Sequence, residues 1–79
     1  MKKTIYFRIG YLQTLREISR KLGGKCLILD SRISGDYCYA SIMYYDEYDL
    51  EDLEDEFDNI TGEVLMRQED LLYKHEYLR

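Results

Sequence analysis

Hydrophobic residues recur along the chain with two different periods, and the change from one period to the other predicts the order of the elements. Ile5, Phe7 and Ile9 alternate with polar residues over residues 4–9, a pattern typical of a half-buried strand. Aliphatic residues then recur at helical spacing and predict an amphipathic helix that ends at the glycine pair 23–24. These aliphatic residues are Leu12, Leu15, Ile18 and Leu22.

Residues 25–33 and 37–45 predict two strands joined as a hairpin. Gly35 and Asp36 suit a two-residue turn, because glycine accepts a positive φ. A constant register from this turn places the apolar residues of both strands on one face, which we interpret as the core face. The pairs predicted on that face are Ile33 with Cys38, Ser31 with Ala40, Leu29 with Ile42 and Leu27 with Tyr44.

The second half of the chain predicts another helix, with Asp49 as its cap and Gly62 at its end. Residues 63–67 predict a short fourth strand, and residues 69–79 predict a final short helix. The resulting order β-α-β-β-α-β predicts a single α+β domain over residues 1–79. We expect a ferredoxin-like sandwich, in which one antiparallel sheet carries two helices on one face. The predicted buried stripe of the second helix is Leu50, Leu53, Phe57 and Ile60.

The charges are divided along the chain, although the net charge is only −5. Residues 1–32 hold eight Lys or Arg and two acids, whereas residues 33–66 hold eleven acids and no Lys or Arg. Nine of those acids lie between Asp46 and Asp58. Such a segment repels nucleic acid and attracts a basic surface, so a basic protein is the partner that the charge pattern favours.

The predicted second helix would carry these carboxylates as an outward band, since its apolar residues face the core. A band of this kind can imitate the phosphate line of a nucleic acid. In its size and acidic segment the chain resembles small phage-encoded inhibitors that mimic nucleic acid, including anti-CRISPR proteins. That resemblance implies an inhibitor that occupies the basic nucleic-acid-binding surface of another protein. The predicted partner-binding residues are Tyr45, Tyr48, Glu51, Asp52, Asp55, Glu56 and Asp58.

The second hypothesis is an RNA-binding domain that uses the other face of the sheet. Residues 5–10, Ile-Tyr-Phe-Arg-Ile-Gly, resemble the first-strand motif of an RNA-recognition motif. Tyr6, Arg8 and Tyr39 would then stack on bases. The segment 34–39 departs from the third-strand motif of that family, because it lacks a leading basic residue and contains Asp36.

The third hypothesis is a self-assembling module, in which the basic first helix of one copy pairs with the acidic second helix of another copy as a homodimer. We expect no enzymatic activity, because His75 has no evident nucleophile partner and no phosphate loop or paired-carboxylate signature is present. We expect no cofactor, no metal and two free thiols at Cys26 and Cys38, which the predicted register places on opposite faces. The absence of a long apolar run predicts a cytoplasmic protein without a membrane segment.

Overall fold

The elements of the fold follow from the alternation of apolar residues, and the computed structural model describes them for residues 1–70. These residues form an antiparallel sheet of four strands with two α-helices packed against it, which confirms the predicted α+β class. In chain order the elements are β1 (Lys2–Arg8), a 3-10 turn (Ile9–Tyr11), α1 (Leu12–Lys21), β2 (Cys26–Ser34), β3 (Tyr37–Tyr44), α2 (Glu47–Thr61) and β4 (Met66–Arg67).

The sheet has the strand order β2-β3-β1-β4, and each neighbouring pair is antiparallel. β1 therefore lies inside the sheet, and β2 and β4 form its two edges. Side chains alternate between the faces of a strand, so Ile5 and Phe7 of β1 point into the core while Tyr6 points to the open face. Ile9 was predicted to join them, but it lies in the 3-10 turn and is 39% exposed.

The core lies between the sheet and the two helices and contains no buried polar or charged residue within residues 1–70. α1 contributes Leu15 and Ile18, with Leu12 and Leu22 packed at the margin, as its helical spacing predicts. The complete set of buried residues is Ile5, Phe7, Leu15, Ile18, Cys26, Cys38, Ala40, Ile42, Tyr44, Leu50, Leu53, Phe57 and Leu65.

The hairpin of β2 and β3 keeps the predicted register only as far as Asp30. Ile33 pairs with Cys38 as predicted, but a register shift lies between Ile28 and Asp30. The predicted pairing of Leu29 with Ile42 is therefore wrong, and Ile42 pairs with Ile28 instead. The shift is a β-bulge, in which one strand contributes an extra residue that has no partner across the ladder.

Because of the bulge, the residues of the first half of β2 that face the core are the opposite set from those predicted. Cys26 and Ile28 turn toward the core, whereas Leu27 and Leu29 are 43% and 46% exposed. The prediction that Cys26 and Cys38 lie on opposite faces is therefore wrong, because both thiols point into the core. Both cysteines are nevertheless free, as expected.

α2 begins two residues after the end of β3 and is capped by Asp46 rather than by Asp49, which corrects the prediction. Asp46 has an extended backbone, and its Oδ1 accepts a hydrogen bond from the backbone N–H of Tyr48 at 2.9 Å. This contact satisfies one of the N–H groups that the first turn of a helix leaves unpaired. Gly62 ends the helix as predicted, with the positive φ of 75° that glycine accepts readily.

The last part of the described chain is less regular than predicted. Ile60 was expected in the buried stripe of α2, but it lies in the last turn and is 57% exposed. The strand predicted over 63–67 is confined to Met66–Arg67, although Leu65 is buried just before it. Most of the helix predicted over 69–79 lies outside the described residues. Among residues 1–70, no helix is long and apolar enough to cross a membrane.

The burial of α2 predicts different effects for two aliphatic truncations on this helix. Leu53→Ala should lower the free energy of unfolding by about 2–5 kcal/mol, because it opens a cavity in a closed core. Ile60→Ala should change it by less than about 1 kcal/mol, because its side chain is largely in water. Urea unfolding followed by circular dichroism measures both values, and equal losses would contradict this placement of Ile60.

Candidate functional site

The solvent-facing side of α2 is a continuous row of carboxylates. Leu50, Leu53 and Phe57 are fully buried and fix which side of the helix meets the sheet. At 3.6 residues per turn, the residues on the opposite side point straight away from the core. Four acids occupy that side, all of them exposed, and we call them the acidic ridge. They are Glu51, Asp52, Asp55 and Asp58.

Two carboxylates on one flank of α2 form ion pairs with an arginine near the end of the described chain. Arg67 pairs with Ile5 of β1 at the sheet edge and reaches the helix side of the sheet. Its Nε and Nη2 donate to the two carboxylate oxygens of Glu54 at 3.0 and 2.9 Å, and Nη1 lies 2.8 Å from Glu47 Oε1. The two carboxylates hold the pKa of Arg67 above its ordinary value, with the hydrogen bond to Glu54 as the main cause.

The other flank of α2 faces α1 and forms an ion pair with Lys21. Lys21 Nζ lies 3.3 Å from Glu56 Oε2, which links the basic end of α1 to the acidic helix. Glu56 was predicted to bind a partner, and the structure places it in this internal ion pair beside the ridge. The paired acids of α2 therefore lie on its flanks, and the ridge lies between them.

The acidic ridge itself has no cation near it in the part of the chain that the structure describes. None of its four carboxylates lies within 4.0 Å of a basic nitrogen of residues 1–70. The ridge extends over seven residue steps, so at a rise of about 1.5 Å per residue it carries one charge per about 3.5 Å. One strand of B-DNA carries one phosphate per about 3.4 Å along its axis, so the two charge densities are nearly equal.

The tyrosines near the start of α2 have different environments. Tyr48 is 74% exposed and lies one helical turn before Glu51 and Asp52, next to the ridge. Tyr45 is 87% exposed, but it lines a shallow groove with Leu27 and Met43 at the end of the hairpin. Tyr44 is buried, and its hydroxyl donates to Glu47 Oε2 at 3.3 Å. Of the predicted tyrosine contacts, only Tyr48 adjoins the ridge.

The two thiols lie away from solvent and are not activated. Burial raises the pKa of the Cys26 thiol to about 11, and the nearby carboxylates of Asp49, Asp52 and Glu54 add to the rise. The Cys26 thiol also donates to the backbone oxygen of Asp49 at 3.1 Å. Burial likewise raises the pKa of the Cys38 thiol. Thiolate is the nucleophilic form, so this environment opposes nucleophilic chemistry at either cysteine.

The open face of the sheet carries a cluster of tyrosines on its two central strands. The ring of Tyr6 stacks on Tyr37 at a centroid distance of 4.6 Å and lies 4.9 Å from Tyr39 in a tilted orientation. The guanidinium of Arg32 lies 5.3 Å from the centre of the Tyr39 ring. Arg8, predicted to join these residues, forms an ion pair with Glu63 at 3.2 Å. We call Tyr6, Tyr37 and Tyr39 the tyrosine cluster.

The ion pairs of Arg67 were missed by sequence reasoning, because the partners are 13 and 20 residues away. The available signal was the single arginine in the short fourth strand, which follows a helix rich in acids. Comparison with known proteins finds no family model, no curated protein and no solved structure that matches the chain. The candidate site is therefore defined by its own geometry, which is an unpaired acidic ridge between two flanks whose carboxylates form ion pairs within residues 1–70.

The contacts of Arg67 with Glu54 and Glu47, which we call the Arg67 fork, predict that loss of this arginine lowers the stability of the fold. Arg67→Gln should lower the free energy of unfolding by about 1–2 kcal/mol, because the partly buried Glu54 and the more exposed Glu47 lose their shared charged donor. Lys21→Gln, which removes a pair at a 68% exposed lysine, should cost less than about 0.5 kcal/mol. Urea unfolding at low and high salt measures both, and an Arg67 effect no larger than that of Lys21 would contradict the structural role of the fork.

Proposed function

We propose that this protein is a non-enzymatic binding module whose acidic ridge occupies the basic, nucleic-acid-binding surface of another protein. The observation that carries the proposal is the lack of cations at the ridge within residues 1–70, although Arg67 and Lys21 pair with the acids on both flanks. Arg67 and Lys21 form ion pairs with carboxylates near the sheet and near α1. The fold leaves the solvent-facing ones available to a partner.

The geometry of the ridge supports a mimic of a phosphate backbone rather than a general acidic surface. Its mean charge density of one per about 3.5 Å along the helix axis is close to that of phosphates along one DNA strand.

The mechanism that follows is electrostatic capture and then occlusion. Opposite charges accelerate the encounter and make it sensitive to salt. Tyr48 lies beside Glu51 and Asp52, so its exposed ring can bury apolar area at one end of the contact. The bound module would then cover the site at which the partner holds DNA or RNA. An inhibitor of the anti-CRISPR kind acts in this way.

We also propose a ferredoxin-like topology and a cytoplasmic location for this module. The strand order β2-β3-β1-β4 with antiparallel neighbours supports the topology, since the first and second strands are separated by the third. Two free, buried thiols support a reducing compartment. The fold matters here because it holds α2 on the sheet by its apolar stripe and turns the ridge outward.

The proposed role of the acidic ridge predicts that reversing two of its charges weakens partner binding. Glu51→Lys with Asp55→Lys should weaken the capture of basic nucleic-acid-binding proteins from nuclease-treated extract by at least about tenfold, because two contacting charges are reversed. The matched control is Glu17→Lys with Asp36→Lys, which makes the same change in charge at exposed acids off the ridge. Capture is measured at low and high salt.

A second step separates a mimic from an ordinary acidic contact. Each captured protein is purified, and its binding to a labelled oligonucleotide is titrated with the module by fluorescence anisotropy. The wild type and the control pair should displace the oligonucleotide, and the ridge pair should not. Capture that is unchanged by the ridge reversal would overturn the ridge as the binding surface. Simultaneous binding of module and oligonucleotide would overturn mimicry.

The tyrosine cluster favours a second candidate function, binding of single-stranded RNA on the open face of the sheet. Tyr6 lies in β1 next to Tyr37 and Tyr39 of β3, so aromatic rings occupy the two central strands. Stacking of bases on such rings is tolerant of sequence. Arg32 over Tyr39 adds a cation at the edge of the same surface.

This candidate predicts that RNA binding depends on the rings and not on the ridge. Tyr6→Ala with Tyr39→Ala should weaken the binding of a labelled single-stranded RNA by at least about tenfold, since each stacked base contributes about 1–3 kcal/mol. Tyr48→Ala, which removes an exposed tyrosine from α2, is the control and should leave RNA binding unchanged. Anisotropy measures both. Binding that survives loss of the two rings would contradict a base-stacking face.

A further inference from the structure

The free edge of the sheet at β2 is long and partly apolar. β2 has nine residues and is paired only with β3 among the described strands. The outer side of an edge strand presents backbone N–H and C=O groups that have no partner in the sheet. The bulge leaves Leu29 without a cross-strand partner, and Leu27 and Leu29 are both more than 40% exposed beside this edge. The edge can therefore accept another strand.

α1 lies beside this edge and forms one wall of a cleft with it. The cleft, which we call the edge cleft, is lined by residues 27–31 of β2 and by Arg16, Ser19 and Arg20 of α1. Ser19 Oγ donates to the backbone oxygen of Cys26 at 2.7 Å and so ties the helix to the start of the strand. This hydrogen bond helps to fix the position of α1 relative to β2.

The wall of the edge cleft carries two arginines that do not take part in the internal ion pairs. Arg16 and Arg20 are exposed, and neither lies within 4.0 Å of a carboxylate of residues 1–70. Four of the seven other Lys and Arg side chains of residues 1–70 do have such a partner. The paired cations are Lys3, Arg8, Lys21 and Arg67.

The spacing of the two arginines matches the repeat of a strand. Arg16 and Arg20 are four residues apart on one helix, which is about 6 Å along its axis. Alternate residues of a strand point to the same side and are about 6.6–6.8 Å apart. A strand added to β2 would thus place one acidic side chain at each arginine, with the intervening residue on the open face. Arginine pairs with carboxylates through charge-assisted hydrogen bonds, which are the stronger kind.

We infer that the edge cleft binds an extended acidic peptide segment of a partner protein, which pairs with β2 as a fifth strand and places alternate Asp or Glu side chains against Arg16 and Arg20. A second copy of this chain fits less well, because two-fold pairing of β2 with β2 would bring the arginines of both copies to the same place. The exposed leucines and the open backbone edge favour a peptide over a nucleic acid. This surface is separate from the acidic ridge.

The test uses the whole protein and a synthetic peptide of seven residues that alternates Val and Glu, capped at both ends and labelled with fluorescein. Two control peptides differ by one property each, one with Lys in place of Glu and one with methylated backbone nitrogens at the central residues. Binding is followed by anisotropy for the wild type, for Arg16→Gln with Arg20→Gln, and for Lys2→Gln as an exposed cation outside the cleft. Amide resonances locate the bound peptide.

The expected result is binding of the Glu peptide with shifts at the amides of residues 27–31, and loss of at least about tenfold in the double arginine variant but not in Lys2→Gln. The Lys peptide and the methylated peptide should bind at least about tenfold more weakly. Equal binding of the methylated peptide would overturn strand addition. Two other results would overturn the choice of an acidic peptide as the occupant. One is a dimer that buries β2. The other is a single-stranded oligonucleotide that shifts these amides when the Glu peptide does not.

Discussion

The narrow apolar stripe of α2 is the contact on which the rest of the structure depends. Only Leu50, Leu53 and Phe57 of this 15-residue helix are buried, and Phe57 meets the rings of Phe7 and Tyr11 edge to face. A stripe of three residues fixes the rotation of the helix about its axis. Every other position is thereby assigned to a flank or to solvent, and eight of these twelve positions are acidic. The orientation of the acidic ridge thus follows from the packing of the core.

The flanks show how a small domain keeps so acidic a helix on its surface. Like charges one turn apart destabilise a helix slightly, and this helix has many such pairs. Arg67 and Lys21 reduce that repulsion from opposite sides, since each lies near flank carboxylates and away from the ridge. Asp46 adds a cap at the end of the helix where negative charge is favourable. These contacts stabilise α2 without removing the charge of its outer surface.

The sequence predicted the α+β class, both helices, the hairpin turn and the acidic outer face of α2, because each rests on a local period or turn residue. The bulge at Leu29 was not predictable in this way, since β2 reads as apolar on both sides and either register offers a hydrophobic face. Asp46 and Asp49 are both acceptable N-cap residues, and which of them caps the helix depends on the residue at which β3 ends. The fork of Arg67 and the edge cleft join residues distant in sequence, which no local pattern reveals.

The two α-helices lie side by side and carry opposite charges, yet few of these charges cancel. Lys21 and Glu56 form the ion pair that connects them within residues 1–70, and Arg16 and Arg20 point away from α2 toward the free edge of β2. The helical period explains why Lys21 faces α2 and the two arginines do not. Lys21 lies on one side of the buried stripe of α1, and Arg16 and Arg20 lie on the other. The helix layer therefore has an acidic surface and a basic margin on one small domain. The acidic ridge and the edge cleft share no residue, so the two proposed contacts use separate parts of the surface.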